Sequence, residues 1–294
     1  MVRISPRQLQ IFTATARAGS ISAAAGQLHL SQPAASMALA QLEKMLGYPL
    51  FDRAPRHLTL NARGREMLPA AEDILERLRA FASTEDDGEV GGDLRLGTSN
   101  TVGNYRVAEL LGPFVAGCPG VAVAVEIDNT DRIIAALLSQ RLDVACVEEA
   151  PHHDDLELHH WRNDALAVCV GPAHPLATRK RLQPADLGGL RWILREAGSA
   201  TRRQSERILA RLPAGETVLE LGQTEAIKQA VGAGLGAAVL PRIAVQDAVA
   251  AQQLVILPTP FLELERPLTL LLHRRRYRSR ALRAFLASMD AGLA

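Results

Sequence analysis

Aromatic side chains are scarce in this chain of 294 residues, 4% against 48% hydrophobic residues overall, so its cores must be built from Leu, Val, Ile and Ala. Cysteine is scarcer still. Cys118, Cys146 and Cys169 are odd in number, far apart and never in a CxxC spacing, which argues against a zinc module or a disulfide framework. All three sit in or beside apolar runs and read as inert core residues. No stretch of about 18 uninterrupted apolar residues occurs, so no membrane span is expected. Arg3 and Arg7 have no apolar h-region behind them, which predicts no signal peptide and a reducing cytoplasm. Charge of one sign is not in excess either: 33 Lys and Arg stand against 32 Asp and Glu, for a net +1. The charged fraction of 22% is ordinary for a globular chain, which excludes disorder for most of it, and the length suggests two or three domains.

The near-zero net charge hides an asymmetry. Residues 1–64 hold seven positive charges and two negative ones, a net +5 that leaves −4 on the rest. A small basic unit joined to a larger, mildly acidic one is a reason to look for an anionic polymer at one end. The pattern there supports it. Leu9, Phe12 and Ala16 share one helical face and Gly19 stops the helix. Ser20 is a good N-cap for a short helix burying Ile21, Ala24 and Leu28. A third helix begins near Ser31-Gln32-Pro33, buries Ala35, Leu39, Leu42 and Leu46, and ends at Gly47. Its other face carries Gln32, Pro33, Ala34, Ser36, Met37, Ala40 and Gln41. Short side chains with amides that read adenine edges suit a major groove, so this is a helix-turn-helix with a reading helix.

From Pro49 to Leu60 the pattern is two short strands around a basic tip, a wing whose Arg53, Arg56 and His57 lie where phosphates would be met. Asn61 can cap a long helix from Ala62 to Ser83. Leu68, Ala71, Leu75, Leu78 and Ala82 recur along it at steps of 3, 4, 3 and 4, a seam suited to dimerisation. Pro69 should bend this helix or mark its first turn. Glu85-Asp86-Asp87-Gly88 and Gly91-Gly92 read as a hinge.

These residues carry a resemblance. Phe12, Gly19-Ser20, Ala24-Ala25, Leu28, Ser31-Gln32-Pro33-Ala34, Ser36, Leu42-Glu43, Gly47, Leu50-Phe51 and Arg53, in this order, resemble the N-terminal domain of LysR-type transcriptional regulators. Met37 and Ala38 replace more polar residues, and Asn61 stands where many members have threonine.

Beyond the hinge, strands at 93–97, 121–127 and 142–147 alternate with helices at 102–117 and 131–139, which implies parallel α/β packing. The order repeats: strands at 166–170 and 192–194, a helix at 202–212, a strand at 218–221, a helix at 225–233 and a strand at 235–240. The chain returns through 268–273 to a last helix at 279–289. The resemblance covers this part too. It implies a type-II periplasmic-binding-protein fold of two Rossmann-like lobes joined by two crossover strands. The whole is then an α+β two-part chain: winged helix-turn-helix (1–61), dimerising linker helix and hinge (62–91), and effector-binding domain (92–294). Lobe one would hold 92–163 and 267–294, and lobe two 164–266.

Two segments there stand out chemically. Thr98-Ser99-Asn100-Thr101 opens the first helix, and Gly198-Ser199-Ala200-Thr201-Arg202 opens a helix in the second lobe. A helix N-terminus offers free N–H donors and partial positive charge, to which the hydroxyls add. Two such ends facing one cleft form an anion clamp. The runs GTSNTVGNY, WILREAGSATR and ELGQTEAIKQAVGAGLG look most like a LysR subgroup that controls sulfur or carbon assimilation, with small anions such as sulfite as effectors for some members. That likeness adds Thr224, while Asn129-Thr130, at the turn after 121–127, are further candidates. Glu148 and Glu149 stand against an anion unless paired, for example to Arg202, and otherwise point to a ligand with a cationic part.

Other constellations carry less. His152-His153-Asp154-Asp155 with His159-His160 lacks metal-site spacing, so no metal is assigned. Gly232–Gly236 follows a helix and precedes a strand, the reverse of a dinucleotide fingerprint. Gly97–Thr101 falls one residue short of a nucleophile elbow, and no acid/base partner can be placed beside it. Arg274–Arg278 reads as a surface turn. The expectation is a regulator without catalytic residues or cofactor. Its partners are double-stranded promoter DNA, a small anionic effector and further copies of itself, dimeric through the linker helix and tetrameric by resemblance, with RNA polymerase as a further candidate. An enzyme or a solute-binding protein on the same α/β fold is the alternative of another class.

Overall fold

The computed structural model describes residues 4–54, 57–82 and 90–291. The chain forms two compact units, Met1–Glu89 with Arg276–Arg280, and Val90–Arg275 with Ala281–Ala294.

In the first unit, α1 (Pro6–Ala18) starts at a reciprocal cap. The Ser5 hydroxyl accepts from the Gln8 amide at 3.3 Å, and the Gln8 side chain accepts from the Ser5 amide at 2.8 Å. Ser20 caps α2 (Ile21–Gln27) and Ser31 caps α3 (Gln32–Leu46). Antiparallel β1 (Phe51–Ala54) and β2 (His57–Leu60) follow, with Phe51 opposite Leu60. Asn61 caps α4 (Ala62–Ala82), accepting from the Gly64 amide at 2.8 Å. Gly64 is there for space, since a Cβ would lie 2.1 Å from the Leu50 carbonyl oxygen. The core gathers Leu9, Ile11, Phe12, Leu39, Leu42 and Leu50, with Phe12 edge-on to Phe51.

The seam expected along α4 divides. Ala71 and Leu75 are buried in this same core, whereas Ile74, Leu78 and Phe81 are exposed, Phe81 at 90%. The regular 3–4 spacing therefore describes mainly the face that packs inward on α1, and the outward stripe lies about one residue around the helix. The helix runs through Pro69 without a break.

In the second unit, β3 (Gly92–Ser99) leads into α5 (Asn100–Tyr105) and α6 (Val107–Gly117), two helices where the sequence predicts one, separated at Arg106 with φ −133°. Then come β4 (Val121–Asp128), α7 (Thr130–Leu138), β5 (Val144–Glu148) and β6 (Leu156–Val170). The strand β4, though nearly all apolar, is an edge strand beside β3 and half exposed. Lobe two holds β7 (Arg191–Arg195), α8 (Ala200–Leu209), β8 (Glu216–Leu221), α9 (Thr224–Gly232), β9 (Ala238–Pro241), α10 (Arg242–Ala250) and β10 (Val255–Ile256). The chain returns along β11 (Glu265–His273) to α11 (Arg280–Ala291).

Strand order across lobe one is β4-β3-β5-β11-β6, with β3 parallel to β4 and β5. The 15-residue β6 is shared. Leu156–Ala165 pairs with β11, and Leu166–Val170 with β9 and β10. Alternate residues of β5 face opposite ways. Val144 and Cys146 pack with Phe114 and Phe285, Ala145 and Val147 with Ile133 and Leu137. The parallel strands of lobe one and β7 of lobe two all deliver their C-terminal ends to one crevice, the place where this class of fold binds ligands.

Candidate functional sites in the two units

On the first unit, α3 buries Ala35, Leu39 and Leu42 and presents Gln32, Pro33, Ala34, Met37 and Gln41 to solvent, with Ser36 half buried. Met37 is 73% exposed. The Gln41 amide oxygen accepts from Gln8 Nε2 at 3.2 Å, which orients its NH2 group as the free donor. Arg53 lies on β1 opposite Leu58. Its side chain, and the whole of Arg56, lie outside the described residues.

In the second unit, the crevice is built from three helix starts. Ser99 caps α5, accepting from the Val102 amide at 3.3 Å; Asn129 caps α7, accepting from the Arg132 amide at 3.1 Å; Ser199 caps α8, accepting from the Arg202 amide at 3.4 Å. These caps, with Asn100, Thr101, Thr130 and Thr201, line one small pocket together with Glu148 and Arg195. The lining closes on itself and leaves no space for a water in this arrangement.

Four expected residues stand elsewhere. Thr98 is fully buried behind α5, its hydroxyl against Gly103. Thr224 acts at one remove, its hydroxyl accepting from Arg195 Nη1 at 3.2 Å. Gly198, at φ +89°, helps close the lobes: its carbonyl accepts from the Asp131 amide at 3.1 Å. Arg202 points away. Its Nε bonds Glu206 at 2.6 Å, and its Nη1 bonds Glu220 at 2.8 Å and the Arg195 carbonyl at 2.6 Å. One helical step past Thr201 rotates it off the pocket face, toward β8.

The cations that do serve the crevice are Arg195 and Arg266, neither of them anticipated. Arg195, 3% exposed, is held by both oxygens of Glu196. Arg266 sits near the start of β11, opposite Asp164 on β6, with its side chain wholly buried. It donates to Asp164 at 2.8 Å, to Thr201 and Gln204 at 3.0 Å, and to Thr101 at 3.2 Å, and it lies 3.4 Å from Glu148. One guanidinium thus touches hydroxyls from both lobes. Glu148 is therefore paired, to Arg266 and not to Arg202, and Glu149 pairs with Arg207. Burial pushes the Glu148 carboxyl up. The Arg266 guanidinium and the hydroxyls of Thr101 and Ser99 outweigh it and hold the carboxyl below its ordinary value.

Direct bonds span the crevice. Thr130 Oγ1 accepts from the Ala200 amide at 3.3 Å, Asp131 pairs with Arg203 at 2.8 Å, and the Tyr105 hydroxyl donates to Glu225. Arg202 apart, the sequence signal for these residues was their place at strand-to-helix turns. Arg195 is the last residue of β7 and Arg266 the second of β11, and neither belongs to the capping segment of a helix.

Residues 6–65 match the family model described as bacterial regulatory helix-turn-helix protein, lysR family, and residues 87–294 match the LysR substrate binding domain. The chain is 35% identical over 290 residues to the uncharacterized HTH-type transcriptional regulator YeiE of Escherichia coli strain K12, covering 98% of each. In fold it is similar to a full-length OxyR variant from Pseudomonas aeruginosa, with TM-score 0.79 and 22% identity over 99% of this chain and 96% of that one. The Synechocystis CcmR regulatory domain, solved in complex with 2-PG, superposes with TM-score 0.63 at 29% identity, covering 68% of this chain and 96% of that one.

Proposed function

Since this chain belongs to the LysR family of transcriptional regulators, with a DNA-binding helix-turn-helix and a small-molecule effector domain, we propose that its effector is a compact anionic metabolite, an oxoanion such as sulfite or a small carboxylate. The observation that supports this is the convergence of residues 99–101, 129–130, 148, 195, 199 and 201 on one small, closed pocket. Its walls are hydroxyls, amides, helix N-termini and a buried arginine, with little apolar surface. That is an environment for a small charged group, since N–H donors at helix starts and a guanidinium stabilise negative charge. The 2-PG bound by the CcmR regulatory domain favours the same reading. Reading of promoter DNA is assigned to Gln32, Pro33, Ala34, Ser36, Met37 and Gln41 on α3, with phosphate contacts at Arg53 and Arg56. Self-association is assigned to the outward stripe of α4, into at least a dimer, with a tetramer as the family's usual assembly. Ligand binding shifts the balance between lobe arrangements, and through it the spacing of paired winged domains on DNA.

Thermal melting of the full chain tests the effector class. Sulfite, thiosulfate, phosphate and small carboxylates are compared at constant ionic strength. A binding anion raises Tm by mass action, and Thr201→Ala reduces the rise without changing the salt dependence of heparin retention. If only a neutral or cationic metabolite stabilises the chain, the regulator assignment stands and the effector class is wrong.

A further inference from the structure

Glu148 is an odd residue to find in the wall of an anion pocket, and its hydrogen bonds show what it demands of a ligand. It is the last residue of β5, 2% exposed, and it lines the pocket directly. A serine or threonine hydroxyl has one proton to give. The Thr130 hydroxyl accepts from the Ala200 amide and directs its proton to Glu148 Oε2 at 3.5 Å. Thr101 accepts from Arg266 and Ser99 accepts from the Val102 amide, and both hydroxyls help hold the Glu148 carboxyl below its ordinary value. Three of the pocket's hydroxyls thus gather about one carboxylate, which itself shows a ligand only lone pairs. Donors come from elsewhere: Ser199 and Thr201 accept from the Arg202 amide and from Arg266, which leaves each a proton to give, and Arg195 adds its guanidinium. The pocket therefore sets one buried carboxylate acceptor, Glu148, among groups that can donate.

We propose that Glu148 is a specificity-determining residue that selects oxoanions still carrying a proton, hydrogensulfite or hydrogenphosphate in type, over fully ionised acceptor-only ions such as sulfate. The proposal rests on the anion reading above. A hydroxyl on the ligand donates to Glu148, while its charged oxygens face Ser199, Thr201 and Arg195. Sulfate at neutral pH has no proton to offer, so it sets an oxygen against the lone pairs of Glu148. A buried acceptor left facing another acceptor is the arrangement by which binding sites reject near-isosteres most strongly.

Inorganic phosphate and sulfate are the probes, since they share shape and size and differ in protons. Calorimetric titration of the full chain at pH 7 and constant ionic strength is expected to show phosphate binding at least about tenfold tighter than sulfate, on the scale of one hydrogen bond to a charged group. Raising the pH from 6 to 8, which converts hydrogensulfite to proton-free sulfite, weakens sulfite binding, while phosphate, which keeps a proton across this range, retains its advantage over sulfate. Glu148→Gln turns the acceptor into an amide that also donates, so it brings sulfate to within about twofold of phosphate. The wild-type pH series needs no variant and stands if Glu148→Gln fails to fold. Equal binding of the two ions by the wild type, or a phosphate preference that survives Glu148→Gln, overturns the role of Glu148 and leaves the anion reading intact. Failure of both ions, and of sulfite over the same pH range, to bind at all overturns the anion reading, and this inference with it.

Discussion

Replacing Arg266 with methionine keeps side-chain length and removes the one charge that reaches both lobes. The guanidinium is wholly buried, as are the side chains of Asp164 and Glu148, at 1% and 2% exposure. Deleting one partner of a buried ion pair costs about 3–5 kcal/mol, because the remaining charge is left without compensation. Here Glu148 is left, Asp164 keeps only Arg106 at 3.7 Å, and Thr101, Thr201 and Gln204 each lose a donor. We expect ~4 kcal/mol at pH 8. At a urea slope of about 3 kcal/mol/M, this lowers the unfolding midpoint by roughly 1.3 M. The pH dependence identifies the cause. In the native protein Glu148 titrates below its ordinary value of 4.5, so its contribution is present above that value and is lost as pH falls through the folded-state value. Without Arg266, burial, the largest influence, is opposed only by hydrogen bonds from Thr101, Ser99 and the backbone, and the carboxyl is expected to rise above its unfolded value. The variant is then penalised most at high pH, and its deficit shrinks on acidification from pH 8 toward pH 5. Urea titrations of both proteins at several pH values, followed by circular dichroism, give the comparison. A deficit under about 1 kcal/mol at pH 8, or one that grows on acidification, refutes the reasoning.

The two faces of α4 separate cleanly by mutation. Leu75→Ala, inside the first unit's core, should cost about 2–5 kcal/mol in urea unfolding. Leu78→Glu, on the exposed stripe, should leave stability within about 0.5 kcal/mol and lower the sedimentation coefficient at micromolar concentration. Gly64→Ala brings a Cβ to 2.1 Å from the Leu50 carbonyl, so α4 must shift; a lowered Tm is expected, and an unchanged one counts against the packing. Gln32→Ala should relax sequence preference in operator competition assays without changing the salt slope, whereas Arg56→Ala should weaken all sequences alike and reduce that slope.

Local signals carried the first unit. Ser20, Ser31 and Asn61 cap the helices that their positions predict, and Gly19 and Gly47 take the positive φ that ends α1 and α3. In the second unit, seven hydroxyl and amide residues at strand-to-helix turns reach the pocket, because a turn of that kind in a parallel α/β fold always opens on the same edge. What stayed hidden depends on pairing. Arg266 meets Asp164 across 102 residues through strand register, and no window of sequence contains both. The polar first half of β6, Leu156–Arg162, looks like loop until β11 is laid beside it, and α10 follows Pro241 with no side-chain cap to mark its start. The direction of Arg202 turned on a single helical step.

The bonds that already join the two lobes make the protein its own competitor. On the proposed reading, an arriving metabolite finds the Ala200 amide already given to Thr130 and the Asp131 amide to the Gly198 carbonyl, and must displace those internal partners to use them. Its apparent dissociation constant is the intrinsic one divided by the fraction of molecules in a receptive arrangement. Strengthening those internal bonds raises the concentration at which the protein responds, and weakening them lowers it, with every residue that touches the metabolite left unchanged. Asp131 and Arg203, both on the surface and 2.8 Å apart, are therefore a dial on the response threshold. Drift at that pair would retune the set point of the sensor for a new metabolic level while its chemical selectivity stayed the same.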